Sequence, residues 1–123
     1  MLRKTDKTVT LVGASGRKYL FKLFTFDDFN DVKGAFESKA ALYVFGKLSE
    51  DQTQFTRVYL GETDDLKTRF DNHHKENCIR YHGANCIGIC DEEEFKNEAK
   101  RKAAEKDLLD AMNFPCNDKN NLC

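Results

Sequence analysis

Two short segments, 41–45 and 55–60, are rich in the aromatic and β-branched residues that favour β-strands. A polar stretch, residues 48–54, separates them, and this order predicts a β-hairpin. In that hairpin Tyr43 and Tyr59 would each lie on a strand near the centre of a sheet. Taken alone, each tyrosine fits a cross-strand packing residue as well as a functional one.

Two further regions have strand character. Residues 8–12 and 18–26 flank a glycine-rich turn and predict a hairpin near the N-terminus. The short apolar segment 86–90 predicts a separate strand. Together with the helices below, these segments predict an α+β fold, in which helices flank a small central antiparallel or mixed β-sheet. Residues 1–40, an N-terminal β-hairpin and short helix, are expected to be an extension packed on a core formed by residues 41–117.

Two short helices are predicted from capping residues and helical spacing. Asp27 or Asp28 is expected to cap the first, which follows the N-terminal hairpin. Thr63 is expected to supply the capping hydroxyl of the second. Arg69 and His73 are four residues apart and would share one face of that second helix.

The longest predicted helix, residues 93–112, is rich in Ala, Lys and Glu. Helical spacing places Phe95, Leu109 and Met112 on its buried side. Glu105 projects toward the same side, between Leu109 and Met112. A carboxylate there is costly unless it is paired or bound to a metal. Two interpretations stay open: a metal ligand, or the acidic half of a salt bridge to a neighbouring lysine.

Length and composition predict one small soluble domain. The 123 residues allow a single modest core, with 40% hydrophobic and 33% charged residues. No apolar run is long enough to span a membrane, and the first residues lack the apolar core of a secretory signal. We therefore expect a cytoplasmic protein with no membrane partner, and a C-terminal tail at residues 118–123.

The net charge is a mild argument against nucleic-acid binding. Twenty Lys and Arg residues against 21 Asp and Glu residues give a formal charge of −1, whereas nucleic-acid-binding proteins usually carry a basic excess. Basic residues nevertheless cluster in the longest predicted helix, where they form either a solvated face or a surface that contacts phosphates. They are Lys96, Lys100, Arg101, Lys102 and Lys106.

The chain contains five cysteines, an odd number. With no signal peptide, this count predicts five reduced thiols rather than a disulfide framework. An alternative is a structural zinc site, because Cys78, His82, Cys86 and Cys90 recur at every fourth position. The glycines that interrupt this segment weaken the zinc interpretation.

Seven positions between residues 41 and 117 follow the motif order of a known nuclease family. Ala41-Leu42-Tyr43 stands where that family has Gly-Ile-Tyr, and Tyr59-Leu60-Gly61 stands where it has Tyr-Ile-Gly. The later matches are Arg69, His73, Glu105 in a Glu-x-x-Leu-like context, and Asn117 in a Pro-x-Asn-type close. Over residues 41–117 the chain therefore resembles the GIY-YIG nucleases, although a longer loop separates its two tyrosines than in compact members.

This resemblance implies a divalent-metal-dependent endonuclease that hydrolyses phosphodiester bonds, with DNA favoured over RNA. It implies Mg²⁺, or Mn²⁺, held by Glu105. Tyr43 would orient or deprotonate the attacking water, and Arg69 would donate to the phosphate. Tyr59 and His73 would hold the water and phosphate in line, and Asn117 would brace the site. Contacts to the nucleic acid are expected from Arg69, Lys100, Arg101 and Lys102.

A second class of function remains open: a catalytically silent module that binds nucleic acid or protein, with or without zinc. The weak global charge also predicts weak, salt-sensitive binding to nucleic acid by the isolated chain. We therefore expect a targeting partner protein or a homodimer to supply further affinity.

Overall fold

The computed structural model describes residues 1–118 and contains five strands and three α-helices within them. The strands are β1 (Arg3–Val12), β2 (Lys18–Thr25), β3 (Ala41–Leu48), β4 (Phe55–Thr63) and β5 (Cys86–Cys90). The α-helices are α1 (Leu66–Asp71), α2 (Glu76–Tyr81) and α3 (Glu98–Ala111). Short 3₁₀ turns occur at Phe29–Asp31, Glu93–Lys96 and Pro115–Asn117.

The five strands form one antiparallel sheet in the order β1-β2-β5-β3-β4. This arrangement, with helices packed on the sheet, confirms the α+β prediction. Both predicted hairpins are present, as β1–β2 and β3–β4. Pairing between β2 and β5 joins the N-terminal hairpin to the rest of the sheet. As a result, β4 lies at one end of the strand order.

Alternate residues of the strands pack against two different layers, as expected for pleated strands. On one face, Tyr43, Phe45 and Tyr59 pack with Phe70 of α1 and Ile79 of α2. We call this the tyrosine face. On the opposite face, Leu42, Val44 and Leu60 pack with Phe95 and with Leu108 of α3. The sheet therefore separates α1 and α2 from α3.

The longest predicted helix is interrupted. A 3₁₀ turn covers Glu93–Lys96, and the side chain of Asn97 then caps α3 by accepting a hydrogen bond from the Lys100 amide at 3.0 Å. Because the break changes the helical phase, Leu108 is fully buried, whereas Leu109 and Met112 are half-buried. The prediction that Leu109 lies on the buried side was therefore wrong: the adjacent Leu108 takes that place.

The second short helix begins and ends differently from the prediction. Asp65, not Thr63, is its N-cap, and Asp65 accepts from the Thr68 amide at 3.2 Å. Thr63 instead exchanges hydrogen bonds with the backbone of Asp65. The helix ends at Asp71, so His73 lies beyond it rather than one turn along the same face as Arg69.

The remaining predicted helix is a single 3₁₀ turn, Phe29–Asp31. Asp28 caps it, in a reciprocal capping box with Asp31. Across residues 1–118, none of the helices has the length and hydropathy needed to cross a bilayer.

Candidate active site

The outer edge of β4 is closed by a side chain instead of another strand. Asn117 accepts a hydrogen bond from the Leu60 amide at 2.8 Å and donates one to the Leu60 carbonyl at 2.8 Å. A side-chain amide offers one acceptor and one donor group, so it can imitate the backbone of a neighbouring strand. Asn117 thereby fixes the 3₁₀ turn Pro115–Asn117 to the strand that carries Tyr59.

Gly61 makes room for Tyr43. The two residues are partners in the β3–β4 pairing. A β-carbon at position 61 would lie 2.4 Å from both Cζ and Oη of Tyr43. The glycine in Tyr59-Leu60-Gly61 therefore allows the Tyr43 ring to lie over β4, close to the ring of Tyr59.

His73 holds the hydroxyl of Tyr43. Its Nε2 lies 2.7 Å from Tyr43 Oη, and both side chains are buried. Its Nδ1 accepts a hydrogen bond from the Lys75 amide at 3.0 Å. Burial lowers the pKa of His73 to about 3, so the ring is neutral at neutral pH. A neutral imidazole with Nδ1 as acceptor carries its hydrogen on Nε2, and we assign Nε2–H as the donor to Tyr43 on this ground.

The two tyrosines remain protonated at neutral pH. Burial, followed by the nearby Tyr59, raises the pKa of Tyr43 well above its ordinary value, while Arg69 opposes this rise. Burial and the carboxylate of Glu105 raise the pKa of Tyr59, again against Arg69. A hydrogen bond from Tyr43 lowers the pKa of Tyr59 in turn. The Tyr43 hydroxyl is thus bonded to His73 Nε2, and its ring lies 6.1 Å from the ring of Tyr59.

Arg69 provides the positive charge of this cluster. It is half-buried, and its charge acts on Tyr43, Tyr59, His73 and Glu105. It forms no ion pair with a carboxylate of residues 1–118. Its guanidinium interacts with the Tyr43 hydroxyl and, with no carboxylate partner, keeps donors for an anionic ligand.

Glu105 is half-buried and has no cationic partner at contact distance in the described part of the chain. The neighbouring lysines pair elsewhere: Lys102 with Glu98 at 2.9 Å, and Lys106 with Asp110 at 2.7 Å. Burial, and then the charge of Glu62, raise the pKa of Glu105, and Arg69 and the Glu62 amide lower it. The salt-bridge alternative for Glu105 is therefore not observed.

Glu62 is a second carboxylate at this site, and the sequence analysis missed it. In the sequence, only its position directly after Gly61 could have marked it as a site residue. Arg101 donates to it from Nε at 2.9 Å. Since the charge of Glu62 acts on Glu105, the two acids lie close together.

Arg101 is not placed for the phosphate contact predicted for it. Its side chain is buried. Besides Glu62, it donates from Nη1 to the carbonyls of Phe95 at 2.9 Å and Lys96 at 3.2 Å. Its donors are thus used inside the protein. Lys100 and Lys102 are exposed on α3, as a contact to nucleic acid would require.

His74 is the second group that the sequence analysis missed. Its ring stacks on His73 with centroids 5.1 Å apart and meets Tyr59 edge-on at 6.1 Å. Unlike His73, it is exposed. It therefore offers an imidazole at the solvent side of the cluster.

The zinc quartet considered from the sequence does not assemble. Ile87 and Ile89 of β5 pack on the tyrosine face together with Cys78. Strand alternation turns Cys86 and Cys90 to the opposite face. Both are buried free thiols, and burial raises the pKa of Cys86 to about 12 and that of Cys90 to about 11.

The prediction of five reduced cysteines is contradicted at one pair. Cys78 and Cys116 form a disulfide, with their Cα atoms 5.9 Å apart. Cys86 and Cys90 are free, and Cys123 lies outside the described residues. Odd cysteine counts constrain pairing poorly, because one unpaired residue does not prevent two others from meeting in the fold.

An open groove of about 770 Å³ lies beside the cluster, between β4 and the C-terminal end of α3. Asn117 lines it, together with Arg57, Met112 and Phe114. Tyr43, Tyr59, Glu62 and Glu105 do not line this groove, so we locate the candidate site by its side-chain chemistry.

The structure thus brings six predicted site residues together around β4. Five of them, Tyr43, Tyr59, Arg69, His73 and Glu105, are linked by contacts or electrostatic interactions. The sixth, Asn117, is bonded to the same strand. No family model, no curated protein sequence and no solved structure matches this chain.

Proposed function

We propose that this protein is a divalent-metal-dependent endonuclease that hydrolyses phosphodiester bonds, with DNA the favoured substrate. One observation supports this most strongly. The charges of an unpaired half-buried carboxylate, Glu105, and of an arginine without an ion pair, Arg69, both act on Tyr43 and Tyr59. A carboxylate suits a cation, and a guanidinium suits a phosphate.

The donor set fits a hard cation such as Mg²⁺ or Mn²⁺. Two acids lie close together, and the charge of Glu62 raises the pKa of Glu105. Such mutual repulsion is relieved when a cation binds. Glu105 would bind the ion directly from α3. Glu62, which already accepts a hydrogen bond from Arg101, would face the ion from β4. When bound, the ion would supply Lewis-acid charge at the phosphate and the leaving oxygen.

Tyr43 and Tyr59 would act as a pair in positioning the attacking water. Tyr43 is fully covered, whereas Tyr59 is 6% exposed. The hydrogen on His73 Nε2 supports the oxygen of Tyr43, and the ring of Tyr43 lies beside that of Tyr59. We therefore assign Tyr59 to face the substrate and Tyr43 to orient it. With both phenols protonated at neutral pH, this arrangement suits holding a water rather than removing its proton.

Arg69 would bind the phosphate and meet the negative charge that develops on it during hydrolysis. Its planar donors match two phosphate oxygens at once. The exposed Lys100 and Lys102 would extend the contact along the strand. The formal net charge of −1 gives little long-range attraction. Affinity for nucleic acid should accordingly fall steeply with salt, and a partner protein or a second copy of the chain would add to it. The cytoplasm remains the expected location.

The direct test is cleavage of plasmid DNA, single-stranded DNA and RNA with Mg²⁺, with Mn²⁺ and with a chelator. We expect metal-dependent strand breaks, with DNA cut faster than RNA. The decisive comparison is Glu105→Gln, which keeps the side-chain volume and removes the anion. Activity should collapse in this variant.

The matched control is Glu98→Gln on the same helix. Glu98 is exposed and pairs with Lys102, away from the tyrosines. Equal activity in the parent and in both variants would indicate a contaminating nuclease and count against the proposal. Binding to DNA without cleavage under any metal condition would instead favour the silent binding module.

A further inference from the structure

Three potential metal ligands meet beneath the tyrosine face, outside the cluster described above. The Sγ atoms of Cys78 and Cys116 and a ring nitrogen of His82 all lie within 4.8 Å of one another. Both cysteines are buried and His82 is half-buried. Thiolate and imidazole are the ligands that zinc prefers.

Two elements of the fold hold these ligands independently of any cross-link. Cys78 and His82 are four residues apart at the end of α2, and the His82 amide donates to the Cys78 carbonyl at 3.1 Å, so both side chains leave one turn in similar directions. Cys116 lies in the turn Pro115–Asn117, which Asn117 fixes to Leu60. The site would therefore remain assembled if the disulfide were broken.

The cysteine backbones suit a metal as well as a disulfide. Their Cα atoms are 5.9 Å apart. Two thiolates at about 2.3 Å from a tetrahedral zinc ion would have sulfur atoms about 3.8 Å apart. Small rotations about the Cα–Cβ bonds can convert bonded sulfurs to that spacing. The disulfide and the metal site thus exclude each other, and the redox state of the surroundings selects between them.

We propose that Cys78, His82 and Cys116 form a zinc site when the disulfide is reduced. Reduction by a phosphine adds two electrons and two protons to the sulfurs, while a water oxygen passes to the phosphine. The two thiols then release their protons as Zn²⁺ binds, and His82 binds through a neutral nitrogen. Water completes the tetrahedron. This site is independent of the proposed nuclease site and of its metal.

The test is metal binding by the whole chain, reduced with a phosphine and freed of metal. It is performed in the Glu105→Gln background, so that the proposed Mg²⁺ site does not contribute. Titration with Co²⁺ should give one equivalent, with tetrahedral d–d bands and thiolate-to-cobalt charge transfer, and Zn²⁺ should displace it. Oxidised protein, with the Cys78–Cys116 disulfide intact, should bind none.

Single-residue variants identify which side chains bind the added metal. Cys78→Ser and Cys116→Ser should lose the charge-transfer band, and His82→Ala should raise the dissociation constant at least about tenfold, because even groups that only orient ligands contribute that much. Cys86→Ser is the matched control: it removes a buried thiol from the opposite face and should bind as the parent does.

Alkylation gives a second measurement that does not depend on the folding of a variant. In the reduced parent, at a urea concentration that exposes these buried thiols when no metal is bound, zinc should protect Cys78 and Cys116 from iodoacetamide, as read by peptide mass spectrometry. Folded reduced protein that takes up no metal would overturn the proposal. So would metal uptake that survives loss of both Cys78 and Cys116.

Discussion

Gly61 lies directly opposite Tyr43 in the β3–β4 pairing, at a distance that leaves no room for a side chain. The atoms that a β-carbon would meet belong to the Tyr43 ring and hydroxyl, which are also the atoms that His73 positions. The conformation of Tyr43 is thus set from two sides, by a missing side chain and by a hydrogen bond.

Gly61→Ala should move the Tyr43 ring and impair both folding and cleavage. Overpacking of this kind costs about 1–3 kcal/mol. Urea unfolding should show the loss, and the nuclease rate should fall with it. Combining Gly61→Ala with Tyr43→Ala should make the alanine at 61 much less costly, because the clashing ring is gone. If the cost is the same in both backgrounds, the contact is not its cause.

The burial of His73 should make stability depend on pH. Its pKa in the folded state is about 3 and in the unfolded chain about 6.5. The unfolded state therefore binds more protons between these values. The stability contributed by neutral His73 is complete above about pH 6.5 and is lost as pH falls toward 3, by at most about 1.4 kcal/mol per pH unit.

His73→Gln tests this dependence, because glutamine does not titrate. Urea unfolding of the variant between pH 4 and 7 should show a shallower slope than the parent. His74→Gln is the comparison, since His74 is exposed and its ring stacks on that of His73. If the unfolding free energy depends on pH equally in the parent and in His73→Gln, burial of neutral His73 is not the cause of that dependence.

Glu105→Gln should change how metal affects stability. The pKa of Glu105 is raised in the folded protein, so without metal its contribution is favourable at acidic pH and is lost as pH rises through the folded pKa. At neutral pH the variant should therefore be as stable as the parent or slightly more stable. Mg²⁺ should raise the Tm of the parent, by mass action on the folded state, and leave that of the variant unchanged.

The same titration on Glu98→Gln serves as the control and should reproduce the parent. A parent Tm that is insensitive to millimolar Mg²⁺ would argue against a preformed ion site at Glu105.

Arg69→Lys should reduce cleavage about a hundredfold while leaving the fold intact. Lysine keeps the charge but loses the planar pair of donors, and removing one such donor from a charge-stabilising site costs about 10²–10³ in rate. Far-ultraviolet circular dichroism should be unchanged. Arg57→Lys is the matched change on exposed β4. If both variants cleave equally well, Arg69 has no special role at the phosphate.

The strands could be predicted because they depend on short-range patterns, whereas the grouping of the site was expected only from the resemblance to a nuclease family. Segments of β-branched and aromatic residues located β3 and β4, and these brought Tyr43 and Tyr59 together. The order of the later motifs suggested that Arg69, His73, Glu105 and Asn117 join them, and in the fold these four contact β4 or act electrostatically on its residues or on those of β3.

What escaped prediction includes one local helix cap and two contacts between distant parts of the chain. Helical spacing alone could not show that Asn97 interrupts the last helix, which shifted the buried position to Leu108. Nor could charge alone show that Arg101 pairs with Glu62, across 39 residues of sequence. Cys78 and Cys116 meet across 38 residues. In the last two cases the partner is identified only when the separate elements of the fold are assembled.

The two bonds from Asn117 to Leu60 have a consequence for self-association. An edge strand with free amides and carbonyls is a place where a second chain can add its own strand and begin an aggregate. On β4, one side chain occupies both backbone groups of Leu60 at the middle of that edge. A chain without Asn117 would lose the group that holds the turn Pro115–Asn117 against β4. It would also expose an unpaired backbone amide and carbonyl on the edge strand, to which a second copy could pair. The side chain expected to brace the site thus also covers part of an edge to which a second strand could pair.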